Sequence, residues 1–247
     1  MKWALALVLA SMFALPTGAA AQDGDAPPPP PGLFRKLMVT LGRDLKRLPS
    51  RENAVVLVNG AILAAAAYPF DDITTLGASS SPLLKRSFSG FGKALGREWV
   101  QGGGALAAYV AGHLWDKPQM IAAGGDLIEA QLVALTVTQG LKFAVGRTRP
   151  DGEARSFPSG HASAALATAR VLHRHLGRRA AIPAYAIAVY TSVSRLQANS
   201  HYPSDVIAGA ALGLAIAQTA TIELDDARVQ ITPAVAPGSI AVVFTLR

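Results

Sequence analysis

Residues 142–161 read KFAVGRTRPDGEARSFPSGH, and residues 194–205 read SRLQANSHYPSD. Lys142 and Arg149 stand two helical turns apart, so both can leave one face at the end of an apolar helix, and Pro150 then forces the chain out of helix. A lysine and an arginine near a helix end are by themselves an ordinary basic cap. Pro158-Ser159-Gly160-His161 supplies a capping serine and a glycine that lets backbone N–H groups approach an anion at a helix start. His161 falls in the first turn of that helix; alone, it is equally a capped start with an incidental histidine. In the second segment Ser194-Arg195 precedes His201, Pro203 opens a further helix, and Asp205 lies in its first turn, within reach of the His201 ring. A lone His–Asp pair is more often structural, but here two anion-binding pieces stand upstream.

Taken together the pieces form a phosphate site. Lys142, Arg149 and Arg195 are fixed cations, and Ser159 and Gly160 open a helix N-terminus toward an anion. A carboxylate on one nitrogen of His201 fixes the tautomer and leaves the other nitrogen as a lone pair able to attack phosphorus. His161 is placed to protonate the departing oxygen as a general acid. Nucleophile, acid and anion cradle are what phosphoryl transfer without a metal requires.

Outward from this pattern the chain reads as helical. Apolar stretches at 54–68, 103–114, 120–145, 162–172, 180–193 and 206–220, each bounded by Gly, Pro or charged clusters, predict six core helices rich in alanine and glycine. Before them Phe34, Leu37, Met38, Leu41, Leu45 and Leu48 repeat at helical spacing, with Arg35, Lys36, Arg43, Lys46, Arg47 and Arg51 between, which makes residues 33–52 a basic amphipathic helix. It either lies on anionic lipid or packs its stripe on the bundle. After the bundle, alternation at Val229 and Ile231, and past Pro237-Gly238 at Ile240, Val242, Phe244 and Leu246, predicts a short β-hairpin within 221–247, a structural flap.

At the other end, Lys2, the apolar run from Trp3 to Leu15 and Ala19-Ala20-Ala21 read as a secretory signal peptide over 1–21. Five consecutive prolines, Pro27 to Pro31, make 22–32 an extended linker. The phosphatase domain is then 53–220. Cysteine is absent, which excludes disulfides and thiolate chemistry in an exported protein. The net charge of +7 suits anionic partners but does not by itself select one.

The three motif pieces, Lys142-x6-Arg149-Pro150, Pro158-Ser159-Gly160-His161 and Ser194-Arg195-x5-His201-x3-Asp205, resemble without substitution the signature of the type 2 phosphatidic acid phosphatases. Those share a superfamily with bacterial non-specific acid phosphatases and vanadium haloperoxidases. The resemblance implies an all-α, six-helix bundle of the phosphatidic acid phosphatase/haloperoxidase type. It implies His201 as the nucleophile that forms a phosphohistidine, His161 as the general acid, and Asp205 as the partner of His201. Lys142, Arg149, Ser159, Gly160 and Arg195 become the phosphate cradle, with no metal and no cofactor. The expected function is hydrolysis of phosphate monoesters or diphosphates, lipid-linked ones such as phosphatidate or polyprenyl diphosphate first among them, at a membrane surface and with neither nucleic acid nor protein partner. The alternatives are a vanadium-dependent haloperoxidase, whose relatives are generally much larger, and a non-catalytic phospholipid-binding relative, which would be expected to lose His161 or His201.

Other polar residues read as structural. His173 and His175, with Arg174, Arg178 and Arg179, form a basic helix end rather than a metal site; Asp126 and Glu129 pair across the bundle or face its solvated side; Asp71-Asp72 is a loop. Most of the apolar stretches fall short of the roughly 20 residues that a membrane-spanning helix needs. The expectation is therefore an exported, periplasmic, membrane-associated enzyme. The integral inner-membrane form stays open, because the basic turn at 174–179 lies where positive-inside charge would fall in an outward-facing enzyme.

Overall fold

The computed structural model describes residues 33–73, 86–219, 229–236 and 239–246. The signal peptide and the proline linker lie outside the described residues. Seven α-helices occur among those described: α1 (Leu33–Arg47), α2 (Arg51–Ala67), α3 (Arg86–Leu95), α4 (Glu98–Leu114), α5 (Pro118–Val145), α6 (Gly160–Gln197) and α7 (Pro203–Thr219). A 3₁₀ turn, Tyr68–Phe70, follows α2. Strands β1 (Val229–Ala236) and β2 (Ser239–Leu246) pair antiparallel, in a register from Val229 opposite Leu246 to Ala236 opposite Ser239.

The seven helices divide the chain differently from the amphipathic helix and six core helices expected. The fourth and fifth apolar stretches are the two limbs of α6, which meet at Gly177 (φ 74°, ψ −174°), where the backbone leaves the helical conformation. Only glycine adopts that backbone readily, so the basic turn of the sequence falls at the kink between the two limbs. Helix α3 lies where no helix was expected, because its sequence RSFSGFGKAL breaks its apolar residues with serines and glycines.

The core lies between α4, α5, α6 and α7, where Val133, Val171 and Ile216 are fully buried among Ala130, Ala134, Ala167, Leu212 and Ala217. Burying each of the three larger side chains is worth about 1.5–3 kcal/mol. The abundance of small residues brings the helices close: a Cβ on Gly213 would stand 2.1 Å from the Ser163 carbonyl oxygen, and one on Gly209 would stand 2.4 Å from that of Ser159. Helix α7 thus packs its backbone directly on the opening turn of α6.

Part of the stripe that α1 begins packs on the bundle. Leu41 and Leu48 pack against the core, Asp44 is buried, and Leu45 and Val39 stay exposed. Asp126 does pair across the bundle, since its Oδ2 accepts from Arg174 Nη2 at 2.7 Å and lies 2.7 Å from His175 Nε2.

The outer face of α2 is apolar. On α2 only Asn53, Gly60 and Ala64 are buried, whereas Val55, Val58, Ile62 and Leu63 are each more than half exposed. The helical segments Arg51–Ile73 and Pro118–Val145 are each long and apolar enough to cross a membrane. Such a contiguous apolar face is unusual for a monomeric protein in water. The stretch 120–145 read from the sequence spans nearly all of the second segment, whereas 54–68 stops short of both ends of the first.

Candidate active site

Helix α5 ends at Val145, and Gly146 caps it in the left-handed conformation (φ 63°), its N–H bonded to the Lys142 carbonyl. Arg149 therefore does not share a helix face with Lys142, as the spacing suggested. It reaches the site from the following turn, where its N–H donates to the Glu153 carbonyl at 2.7 Å. Lys142 Nζ donates to the carbonyls of Arg155 (2.7 Å) and Ser156 (3.1 Å), which ties the loop 146–158 down over the helix end. An ammonium has three donors, so one remains for a ligand.

Ser159 caps α6, its hydroxyl accepting from Ala162 N–H at 3.4 Å, and it is fully buried. Gly160 and His161 follow in the first turn. Beside them, Gly96 in the turn between α3 and α4 meets the His161 ring: a Cβ there would lie 2.6 Å from His161 Cδ2. The Lys93 backbone, in α3, favours the protonated ring against the burial that opposes it. The His161 Nε2 is buried without a partner. The end of α3, missed in the sequence, thus packs beside the expected general acid.

His201 Nδ1 lies 3.7 Å from Asp205 Oδ2, beyond hydrogen-bond length. Ser156, which the sequence reading passed over, stands between them: its hydroxyl donates to Asp205 Oδ2 and lies 3.4 Å from His201 Nδ1. Tyr202 N–H also donates to Oδ2, at 2.9 Å, and Ser159 N–H donates to the Asp205 main-chain carbonyl, at 2.9 Å. Asp205 Oδ1 accepts from Arg147 Nη1 at 2.8 Å. Asp71, expected in a plain loop, is buried and takes Arg147 Nη2 at 2.7 Å. No local signal marks that pair, whose members are 76 positions apart.

Lys142, Arg149, Gly160, His161, Arg195 and His201 line one cleft of about 380 Å³, joined by Lys93, Glu98, Gln139 and Arg155. Ser159 and Asp205 lie behind its wall. Arg195 donates from Nη2 to Ser200 Oγ at 3.0 Å, while its Nε and Nη1 are buried without partners, as is Arg149 Nε. Buried guanidinium donors without acceptors are costly, and an oxyanion in the cleft would satisfy them.

Burial, and then the Arg195 charge, push His161 down to about 3. Burial also holds His201 below the usual histidine range, although Asp205 opposes it. Burial raises Asp205, but the nearby His201 ring and the bonds from Ser156 and Tyr202 outweigh that, and the carboxyl stays below its ordinary value. Both rings are therefore neutral and Asp205 ionised in the free site at neutral pH, the state a nucleophilic imidazole needs.

Comparison with known proteins agrees with the resemblance read from the motifs. Residues 123–226 match the family model of the PAP2 superfamily. Over 102 residues the chain is 34% identical to lipid A 1-phosphatase of Porphyromonas gingivalis, a match that takes in 38% of this chain and 23% of that protein. Among solved structures, the transmembrane PAP2 type phosphatidylglycerolphosphate phosphatase of Bacillus subtilis superposes with a TM-score of 0.53 and 24% identity, covering 67% of this chain and 92% of that one. Aquifex aeolicus LpxE superposes with a TM-score of 0.51 and 21% identity, covering 61% and 94%. At these identities the two structures speak for a shared helical fold.

Proposed function

We propose that this chain is a metal-independent phosphatase that hydrolyses lipid-linked phosphate monoesters or diphosphates through a phosphohistidine on His201. The observation that carries the reading is the cleft in which two histidines meet three cations, two of which, Arg149 and Arg195, hold buried donors without acceptors. The residues placed there belong to three separate stretches of sequence, and each supplies a part of one reaction.

In the first step His201 Nε2, free because Nδ1 faces Ser156 and Asp205, attacks phosphorus. The bond from phosphorus to the leaving oxygen breaks as the N–P bond forms, and His161 gives that oxygen a proton. In the second step water attacks the phosphohistidine, His161 takes the water's proton, and the N–P bond breaks to release phosphate and restore the free imidazole. Lys142, Arg149 and Arg195, with the N-terminal amides of α6, stabilise the equatorial oxygens throughout, and the protein's work is positioning and charge. The neutral His161 of the free cleft acquires its proton with the substrate, since a phosphate dianion beside the ring favours imidazolium.

The lipid-linked substrate is supported by the apolar exterior of α2 and by the names of the proteins this chain resembles. Membrane association follows from the same surface, and export from the N-terminal 21 residues. The test is phosphate release by the purified full-length chain, with chelator present, from an aryl phosphate, phosphatidate and polyprenyl diphosphate in mixed micelles. Turnover of at least one lipid faster than the aryl phosphate is expected. Turnover of the aryl phosphate alone would sink the lipid assignment, and no turnover with peroxide-dependent halogenation after vanadate loading would replace the phosphatase reading altogether.

A further inference from the structure

We propose that Arg147, backed by Asp71, is a positioning residue that holds the Asp205 carboxylate against His201. Its kinetic consequences rest on the phosphatase reading above; the clamp itself rests on geometry. Arg147 lies between Lys142 and Arg149 in sequence but turns away from their cleft. Its Nη1 donates to Asp205 Oδ1 (2.8 Å) and Ser204 Oγ (2.7 Å), and its Nη2 donates to Asp71 Oδ2 (2.7 Å). Asp71 also accepts from Ser204 N–H at 2.9 Å and from the Ser204 hydroxyl at 2.5 Å, so it holds the first turn of α7 as well as the guanidinium. The guanidinium plane is enclosed by Tyr202 at 4.0 Å and Tyr68 at 5.0 Å.

Asp205 is wholly buried, and its two oxygens are divided. Oδ2 takes the Ser156 hydroxyl and the Tyr202 N–H on the His201 side, while Oδ1 faces Arg147. With both oxygens engaged, the carboxylate cannot rotate away from the imidazole. The charged groups around it are His201 from its own segment, Arg147 from the turn after α5 and Asp71 from the end of the 3₁₀ turn after α2; Lys142 and Arg149 act on His201 from the cleft side. Removing the guanidinium would leave two buried carboxylates facing one another, so Asp205 would ionise less readily and His201 would hold a proton more tightly. Both effects move in the same direction: the activity that requires ionised Asp205 and neutral His201 is lost at a higher pH.

The experiment compares the full-length wild type with Arg147→Met, Arg147→Lys and Asp71→Asn. On an aryl phosphate, Arg147→Met should lower kcat about 100-fold with KM within about threefold, and should move the acid limb of kcat/KM upward by about one pH unit. Arg147→Lys should recover part of both. A residue that merely supports the fold would reduce the active fraction and leave the limb in place. Independently of substrate, the His201 ring followed by NMR should titrate at higher pH in Arg147→Met and, by a smaller amount, at lower pH in Asp71→Asn, which keeps the side-chain shape but removes the anion that partly neutralises Arg147. An unmoved limb and an unmoved His201 titration in Arg147→Met overturn the proposal. If that variant does not fold, an unmoved His201 titration in Asp71→Asn does so. Should the wild type release no phosphate, the phosphatase reading fails while the ring titration still decides the clamp.

Discussion

The hydroxyl of Ser156 stands between His201 and Asp205, 3.4 Å from the imidazole nitrogen and bonded to the carboxylate oxygen that faces it. The direct Nδ1 to Oδ2 separation is 3.7 Å, so Ser156 and the carboxylate together define where the ring points. A hydrogen bond to a charged group contributes about 1.5–3 kcal/mol. Ser156→Ala is accordingly expected to lower kcat by about 10- to 100-fold while KM stays near its wild-type value, as steady-state kinetics on an aryl phosphate would show.

His161 should change its charge state when the cleft fills. Burial and Arg195 hold the free ring at about 3, and an anion against its Nε2 should raise that value. Sulfate carries no proton of its own in this pH range, so NMR titration of the His161 ring with and without sulfate isolates the effect. An upward shift is expected in the wild type, and a much smaller one in Arg195→Ala, where the anion is held less well.

The same depressed value has a stability consequence. Between the ordinary histidine value of about 6.5 and about 3, the unfolded chain binds a proton at residue 161 that the folded chain does not. Folding stability contributed by this group is therefore complete above about 6.5 and is lost as the pH falls toward 3. Replacing the ring with an uncharged amide, His161→Gln, should flatten the fall in Tm between pH 6.5 and 4 relative to wild type in the same detergent.

Gly96 gives a test of the support behind His161. An added methyl would lie 2.6 Å from both His161 Cδ2 and Thr191 Cγ2, so one of them must move. Displacing a catalytic group by about 1 Å costs on the order of 10²-fold in rate. Gly96→Ala should retain the helical circular dichroism of the wild type and lose about two orders of magnitude in kcat.

The candidate site was legible in the sequence because its parts are local. Caps, helix starts and short spacings announce Ser159, Gly160 and His161 in one run and His201 and Asp205 in another. What supports them was not legible. Arg147 and Asp71 meet across 76 positions, and Ser156 sits in a loop whose path is set by the bonds from Lys142 to two backbone carbonyls. Helix α3 escaped detection because Ser87, Ser89, Gly90 and Gly92 interrupt its apolar pattern, although Gly92 lets it press against Ser194.

The most direct test of the central claim is phosphate release from an aryl phosphate, with chelator present, by the wild type and His201→Ala, together with acid- and alkali-quench recovery of phosphorylated peptide. The account predicts an alkali-stable, acid-labile phosphate on the peptide that contains His201 and a loss of at least 10³-fold in turnover in the variant, on the scale of removing a catalytic nucleophile. Turnover within about tenfold of wild type in His201→Ala would contradict it.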